Sequence, residues 1–311
     1  MKPVFALRNV TKRFGRQTAL DNVSLEAKAG QVIAVLGDNG AGKTTALRIL
    51  LGLLNADEGQ AEVLGMDSRR QGQEIRRRIG YVPDKPAFYE WMTVAEAGWF
   101  AAGFYPHGYL EEYSRLVKQF GLPETKKLKH LSRGMQAKVS LSLGMAHRPE
   151  LLVLDEPTSG LDPIVRREFL ESMVDVAAEG RTVLLASHEI HEVERVADSV
   201  AILKQSSLAT FDRLEVLKTS MQHVLITHAD ESEFELPFAN KVIASHVDGR
   251  QSRHLVRGVQ DPQIARLRQQ ERIVEVETRT PSLEEILVGY LTEDAQLRED
   301  APAETSQEIG S

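Results

Sequence analysis

The segment Gly37-Asp38-Asn39-Gly40-Ala41-Gly42-Lys43-Thr44 constrains this chain more than any other. It fits G-x-x-x-x-G-K-[ST] and lies between an apolar run, Val32 to Leu36, and leucines at helical spacing, Leu47, Leu50, Leu51 and Leu54. A buried strand, a glycine-rich loop and a helix in that order make a cradle for phosphate. The glycines let the backbone curl so that successive N–H groups and the helix N-terminus face the anion. Lys43 supplies a point charge between the last two phosphate groups, and Thr44, followed by Thr45, offers a hydroxyl to Mg2+. A glycine-rich turn without a ligand has no use for the Lys-Thr pair, so the stretch from Gly37 to Thr45 is read as a nucleotide site.

Two further apolar runs end in chemistry-bearing residues. Leu151 to Leu154 leads into Asp155-Glu156, and Thr182 to Ala186 leads into Ser187-His188. Open parallel sheets bind ligands beyond the carboxyl ends of such strands, so the three runs deliver polar groups to one edge. Acidic pairs in loops are commonly solvated, but four aliphatic residues directly before this pair favour burial. Asp155 is suited to hold Mg2+ through water, and Glu156 to polarise an attacking water. His188 and His191 do not read as a zinc pair, because their spacing lacks the H-E-x-x-H pattern.

Composition narrows the setting. A chain of 311 residues with 42% hydrophobic composition buries a full α/β core with something smaller attached. The formal charge of −7 is concentrated at the end, where residues 291–311 hold six acidic side chains and Arg298, contribute −5 and leave −2 elsewhere. A near-neutral body gives no electrostatic reason to expect nucleic acid as a partner. Cysteine is absent, which removes disulfides and thiolate metal sites and is compatible with a reducing cytosol. Charges interrupt every apolar stretch of the N-terminus, and no run approaches the ~18 apolar residues of a membrane span. The chain is expected neither to cross a bilayer nor to carry a signal peptide.

Along the chain, Val4 to Lys28 alternates apolar and polar residues around a turn at Gly15-Arg16-Gln17, the pattern of an antiparallel β arm. Residues 85–147 read as a helical insertion, with a Thr93-x-x-Glu96 capping box and a helix after Ser132 carrying Met135, Val139 and Leu143 on one face. After about residue 218 the texture changes to a strand at Val224 to Thr227, a hairpin turning at Asp248-Gly249, a polar helix near 262–270 and a strand at Ile273 to Glu277. The expected organisation is a nucleotide-binding domain over 1–218, a small α+β accessory domain over 219–290 and a disordered acidic tail over 291–311.

Further segments follow the order of a known family. Leu131-Ser132-Arg133-Gly134-Met135 resembles the LSGGQ signature of the ABC ATPases, Leu151 to Glu156 their Walker B strand, Ser159-Gly160-Leu161-Asp162 their D-loop, and His188 their switch histidine. The ordered set is much more specific than the phosphate loop alone. The resemblance implies an α/β fold with a P-loop NTPase core, an antiparallel β arm and a helical insertion, to which this chain adds the small C-terminal α+β appendage. It also implies ATP and Mg2+ as ligands and a head-to-tail dimer, with each ATP held between one subunit's phosphate loop and the other's signature. Ser132 and Gly134 then present a hydroxyl and free N–H groups to the γ-phosphate, while Asp162 belongs to the same composite site. Read alone, Ser132 is an N-cap. His188 becomes a γ-phosphate contact, and Phe14, before Gly15, falls where the family stacks an aromatic on adenine; packing within the arm is the alternative for Phe14. Asp84, in Ile79-Gly80-Tyr81-Val82-Pro83-Asp84, stands where the family usually has a glutamine, as a candidate Mg2+ contact. Arg133 and Met135 replace the usual glycine and glutamine, a change similar to that in exporter ATPases with separate membrane subunits, and Pro281-Ser282-Leu283-Glu284-Glu285-Ile286 looks similar to their ending.

Such relatives sit on the inner face of the cell membrane beside a polytopic permease and a second cassette, of the same or a different chain. Residues 88–105, FYEWMTVAEAGWFAAGFY, hold seven of the chain's eighteen aromatics, and this region of the family receives a helix from the permease. Most of these rings are expected to form the core of the insertion, with about one third on an exposed docking surface. A soluble ABC ATPase acting on ribosomes or nucleic acid is the competing reading, but those relatives typically carry two cassettes or a long coiled coil, and one phosphate loop without extended heptads stands here.

Overall fold

The computed structural model describes residues 2–230, 236–238 and 241–292. The chain divides into two units, residues 1–217 and 218–311.

The first unit opens with β1 (Phe5–Phe14) and β2 (Gln17–Ala27), paired antiparallel around Gly15-Arg16. Their inward residues, including Phe5, Leu7, Val10, Leu20 and Val23, are buried, which is what the alternation dictates. After β3 (Val32–Leu36) comes α1 (Lys43–Leu50), then β4 (Glu58–Val63) and β5 (Met66–Asp67), which complete a four-stranded sheet in the order β2-β1-β4-β5. The helix is shorter than its leucine spacing predicts. It stops at Leu50, and Gly52 follows with φ +61° where a Cβ would meet Ser68 O at 2.4 Å, so the chain turns away before Leu54.

Next come α2 (Gly72–Arg78), β6 (Ile79–Val82), the helical insertion α3 (Val94–Ala102), α4 (Tyr109–Gln119) and α5 (Arg133–Met145), then β7 (Leu151–Asp155), α6 (Pro163–Ala178), β8 (Thr182–Ala186), α7 (Ile190–Val196), β9 (Ser199–Lys204) and β10 (Ser207–Arg213). The second sheet runs β10-β9-β3-β8-β7-β6, parallel from β9 to β6 with β10 antiparallel at its edge. Every residue of β3, β7 and β8 is buried, as expected for strands covered on both faces. One apolar core joins this sheet to the arm.

The insertion corrects the expectation for the aromatics. The capping box at Thr93 and Glu96 is present, but α3 turns Val94, Ala97 and Gly98 inward. Tyr113 of α4 lies flush on Gly98, where a Cβ would come within 2.1 Å of its ring. Small residues therefore fill the inner face, and five of the seven rings, Tyr89, Trp91, Trp99, Phe100 and Phe104, are exposed. On α5 the predicted stripe is only partly inward: Val139 is buried while Met135 and Leu143 are half-buried, because neighbours of several elements cover the helix from more than one side.

After α8 (Leu214–Ser220), the second unit consists of β11 (Met221–His228), β12 (Val242–Asp248), β13 (Gln251–Arg257), α9 (Asp261–Arg268), β14 (Ile273–Arg279) and α10 (Leu283–Leu291). Its antiparallel sheet has the order β12-β13-β11-β14, and Val224, Ile226, Val256 and Val276 pack with Ile264 and Leu267 of α9. Ser282 and Glu285 form a capping box at α10. From residue 293 onward the expected acidic tail lies outside the described residues.

Candidate functional site

Four parallel strands end side by side, and each is followed by one group of interest: β3 by the glycine-rich loop, β6 by Asp84, β7 by Glu156 and β8 by His188. The loop packs on the arm at Gly42, which has φ +105° and where a Cβ would lie 2.3 Å from Ala19 O, so only glycine fits. No side chain caps α1, which leaves N–H groups of its first turn open for an anion.

Lys43 is buried. Its ammonium donates to the Gly37 carbonyl at 2.6 Å and the Asp38 carbonyl at 3.3 Å, and lies 3.3 Å from Glu156 Oε1. Thr44 donates its hydroxyl to Asp155 Oδ1 at 2.8 Å. Burial pushes the Asp155 carboxyl above its ordinary range; the Thr44 hydrogen bond opposes this, and the charges of Glu156 and Asp84 add to it. Tyr81, on β6, is raised as well, first by burial and then by the charge of Asp155.

Glu156 sits at φ +50°, a region that non-glycine residues seldom occupy, fixed by its N–H donating to Ala186 O at 2.9 Å. Its Oε2 lies 2.7 Å from His188 Nδ1 and accepts the His188 backbone N–H at 3.3 Å. An ionised carboxylate only accepts, so Nδ1 is the protonated nitrogen in this pair. The carboxylate thus spans Lys43 on one side and His188 on the other.

A cleft of about 380 Å³ opens here, lined by Phe14, Asp38, Asn39, Gly40, Gly42, Lys43, Thr44, Thr45, Asp84 and Glu156. Gly37 and Ala41 belong to the same loop, while Asp155 and His188 adjoin the cleft through Thr44 and Glu156. Phe14 is half exposed, with Lys12 Nζ 5.4 Å from its ring centroid. Gln17 and Ala19 line the cleft too, although nothing in their sequence context announces it.

Ser132, Gly134 and Asp162 are not among the residues lining this cleft. Ser132 caps α5 by accepting the Met135 N–H at 3.3 Å, and Asp162 caps α6 by accepting from Ile164 and Val165 at 3.1 and 3.0 Å. The Arg133 guanidinium covers Gly160, at φ +68°, so closely that a Cβ there would lie 2.2 Å from Nη1. No sequence pattern announces Thr158 and Arg166, which meet the buried carboxylate of Glu192.

A sequence profile described as ABC transporter matches residues 20–159. The bacitracin transport ATP-binding protein of Bacillus licheniformis is 34% identical over 78% of this chain and 78% of its own length. A daunorubicin resistance ATP-binding protein of Streptomyces coeruleorubidus is 33% identical over 93% of this chain and 96% of its own, so that match extends through the second unit. Among solved structures, an ATP binding subunit of an ABC transporter shares the fold with a TM-score of 0.65 at 28% identity, over 70% of this chain and 92% of that one. A dimeric cassette described as a post-hydrolysis state bound to ADP and Pi matches in fold with a TM-score of 0.62 at 24% identity, over 68% and 98%. With the phosphate loop, the paired carboxylates and the histidine gathered at one sheet edge, and with these relatives, the chain belongs to the ABC transporter ATP-binding proteins and is an ATPase subunit of that family.

Proposed function

We propose that this chain drives an exporter whose membrane-spanning part is a separate polypeptide, and that it does so as one of two cassettes closing head-to-tail on ATP. The observation that carries the chemistry is the bridging of Glu156 between Lys43 and His188 beside the Thr44–Asp155 pair. Phosphate oxygens compete for the Lys43 ammonium, which loop carbonyls and Glu156 now satisfy. Binding of ATP therefore frees Glu156 from Lys43 and leaves it oriented by His188 towards a water in line with the γ-phosphate.

Mg2+ fits the residues present. Thr44 and Asp155 offer hydroxyl and carboxylate oxygens, the ligands this hard cation takes, and a buried carboxylate crowded by Glu156 and Asp84 calls for positive charge. Among the described residues no group of three or more acidic or histidine side chains forms a cage, in keeping with an ion shared with substrate phosphates. Thr44 and Asp155 would hold it, with Asp84, which lines the same cleft, a further candidate, and when bound it would neutralise charge on the phosphates. Phe14 of the cassette whose phosphate loop holds the ATP would stack on its base, and Ser132, Gly134 and Asp162 contributed by the other cassette would close over the same nucleotide.

The export reading is supported by the relatives' names, bacitracin transport and daunorubicin resistance, and the docking of a separate permease by the exposed rings of the insertion, which suit an inserted helix. No helix among the described residues is long and apolar enough to cross a membrane. In this reading the pathway for cargo belongs to another chain, and this one acts beside it at the inner face. The test uses tagged protein carrying Glu156→Gln. It should bind ATP as the parent does and lose hydrolysis by roughly a hundredfold or more. Held closed with ATP in detergent-solubilised cells, it should recover a polytopic membrane protein; recovery of ribosomes or nucleic acid without one would favour the soluble reading.

A further inference from the structure

Glu192 is almost wholly buried, at 3% exposure, on α7 four residues after His188. A carboxylate in that position is costly unless both oxygens are engaged, and an apolar side chain of similar volume would fill the space at least as well. Oε2 accepts the hydroxyl of Thr158, itself buried, while Oε1 has no hydrogen-bond partner among the described residues and is balanced only by the ion pair with Arg166, whose Nε lies 3.0 Å away on α6. Burial pushes the Glu192 carboxyl above its usual range, and the Thr158 hydrogen bond and Arg166 act against that shift.

The partners of Glu192 close a circuit around the site. Thr158 stands in the tight turn that begins at Glu156, where Ser159 N–H donates to Glu156 O at 3.2 Å and Leu161 N–H to Thr158 O at 3.0 Å. Glu192 stands in the first turn of the helix that follows His188, with its N–H donating to Glu189 O at 3.2 Å. His188 Nδ1 meets Glu156 Oε2 at 2.7 Å. From Glu156 through its turn to Thr158, across to Glu192, back along α7 to His188 and on to Glu156, each link is a covalent step or a hydrogen bond. Glu156 also holds a seldom-occupied φ, which persists only where its surroundings over-determine it.

We propose that Glu192 is a positioning residue for hydrolysis, fixing the Glu156–His188 pair through Thr158 with Arg166 balancing its charge. The proposal rests on the roles given above to Glu156 and His188. A staple that merely holds α7 onto α6 would, when cut, lower stability, nucleotide affinity and turnover together. A positioning residue lowers turnover and leaves nucleotide affinity in place.

The experiment compares the full chain with Glu192→Ala, Thr158→Val, Thr158→Ser and the Glu192→Ala/Thr158→Val double variant. ATP affinity is read with a fluorescent analogue and Mg2+, alongside steady-state kcat. Glu192→Ala and Thr158→Val should each lower kcat about tenfold or more with affinity within about twofold of the parent. Thr158→Ser, which keeps the hydroxyl, should stay near the parent, and the double variant should be no worse than the lower single, because both cut one circuit. Parental turnover in Glu192→Ala and Thr158→Val, or a loss of kcat matched by an equal loss of affinity and not rescued by Thr158→Ser, overturns the proposal. Should Glu192→Ala fail to fold, the Thr158→Val and Thr158→Ser pair decides alone. Full hydrolysis by Glu156→Gln would bring down the underlying assignment; an inactive Glu156→Gln beside unaffected Glu192 and Thr158 variants would bring down the positioning role only.

Discussion

Asp155 carries its charge against the preference of the fold. Its folded-state pKa lies above the ordinary carboxylate value, first because it is buried. The stability linked to it is therefore fully present below the unfolded pKa and is lost as pH rises through the folded one. Asp155→Asn should raise the melting temperature of the nucleotide-free protein by about 2–4 °C in calorimetry while abolishing hydrolysis, the usual trade between a tuned site and a stable one. Asp155 could be read from sequence because an apolar strand delivers it, and the same holds for Lys43 and Thr44. Glu192 could not, since Ile190-His191-Glu192-Val193-Glu194-Arg195-Val196 looks like a short helix with a solvated face, and only the fold sets Thr158 and Arg166 against it. Nor does a glutamate advertise the positive φ at position 156.

Among the elements, the sheet of the second unit carries a line of polar groups, of which His228, Ser252 and His254 are buried and Ser245 half-buried. Ser245 Oγ lies 2.8 Å from His254 Nδ1, His254 Nε2 2.9 Å from Ser252 Oγ, and His228 Nε2 2.8 Å from the same oxygen. Burial, with His228 beside it, brings His254 down to about 4. Here the unfolded chain binds a proton that the fold refuses, so stability present above about pH 6.5 falls away as pH drops towards 4, by roughly 3 kcal/mol in all. Hydrogen exchange across residues 221–279 should show this sheet opening in that window, and His254→Gln should flatten the pH dependence. Element boundaries follow the same division between local and distant causes. The strands β3, β7 and β8 are legible as apolar runs between polar ends, whereas β4, EGQAEV, takes its identity from pairing with β1. The return from β9 into β10 passes through Gln205 and Ser206, both at positive φ, a hairpin made without the glycine or asparagine that would signal it. Arg133 over Gly160 is likewise invisible in sequence, because the contact joins segments that only the packing of α5 against α6 brings together.

At the scale of the whole molecule, the site is built from four strand ends, and the residues that would complete it for a partner face elsewhere. Trp91 is the ring on which the docking proposal turns, 62% exposed and beside Tyr89 at 6.1 Å between centroids. Trp91→Ala should weaken recovery of the membrane partner about tenfold or more while ATP binding by the isolated chain stays at the parental level. Undiminished recovery would remove that surface from the docking site. Sequence reveals that the segment is aromatic but not which way the rings point, since that depends on Val94, Ala97 and Gly98 taking the inner face of α3. The outward rings also carry a consequence for supply. A chain made in excess of its mate exposes Tyr89, Trp91, Trp99, Phe100 and Phe104 to water with nothing to cover them. If these rings are the docking surface for a membrane partner, surplus copies would be a clumping hazard and ready prey for quality-control proteases, and synthesis of the two polypeptides would have to be kept in step.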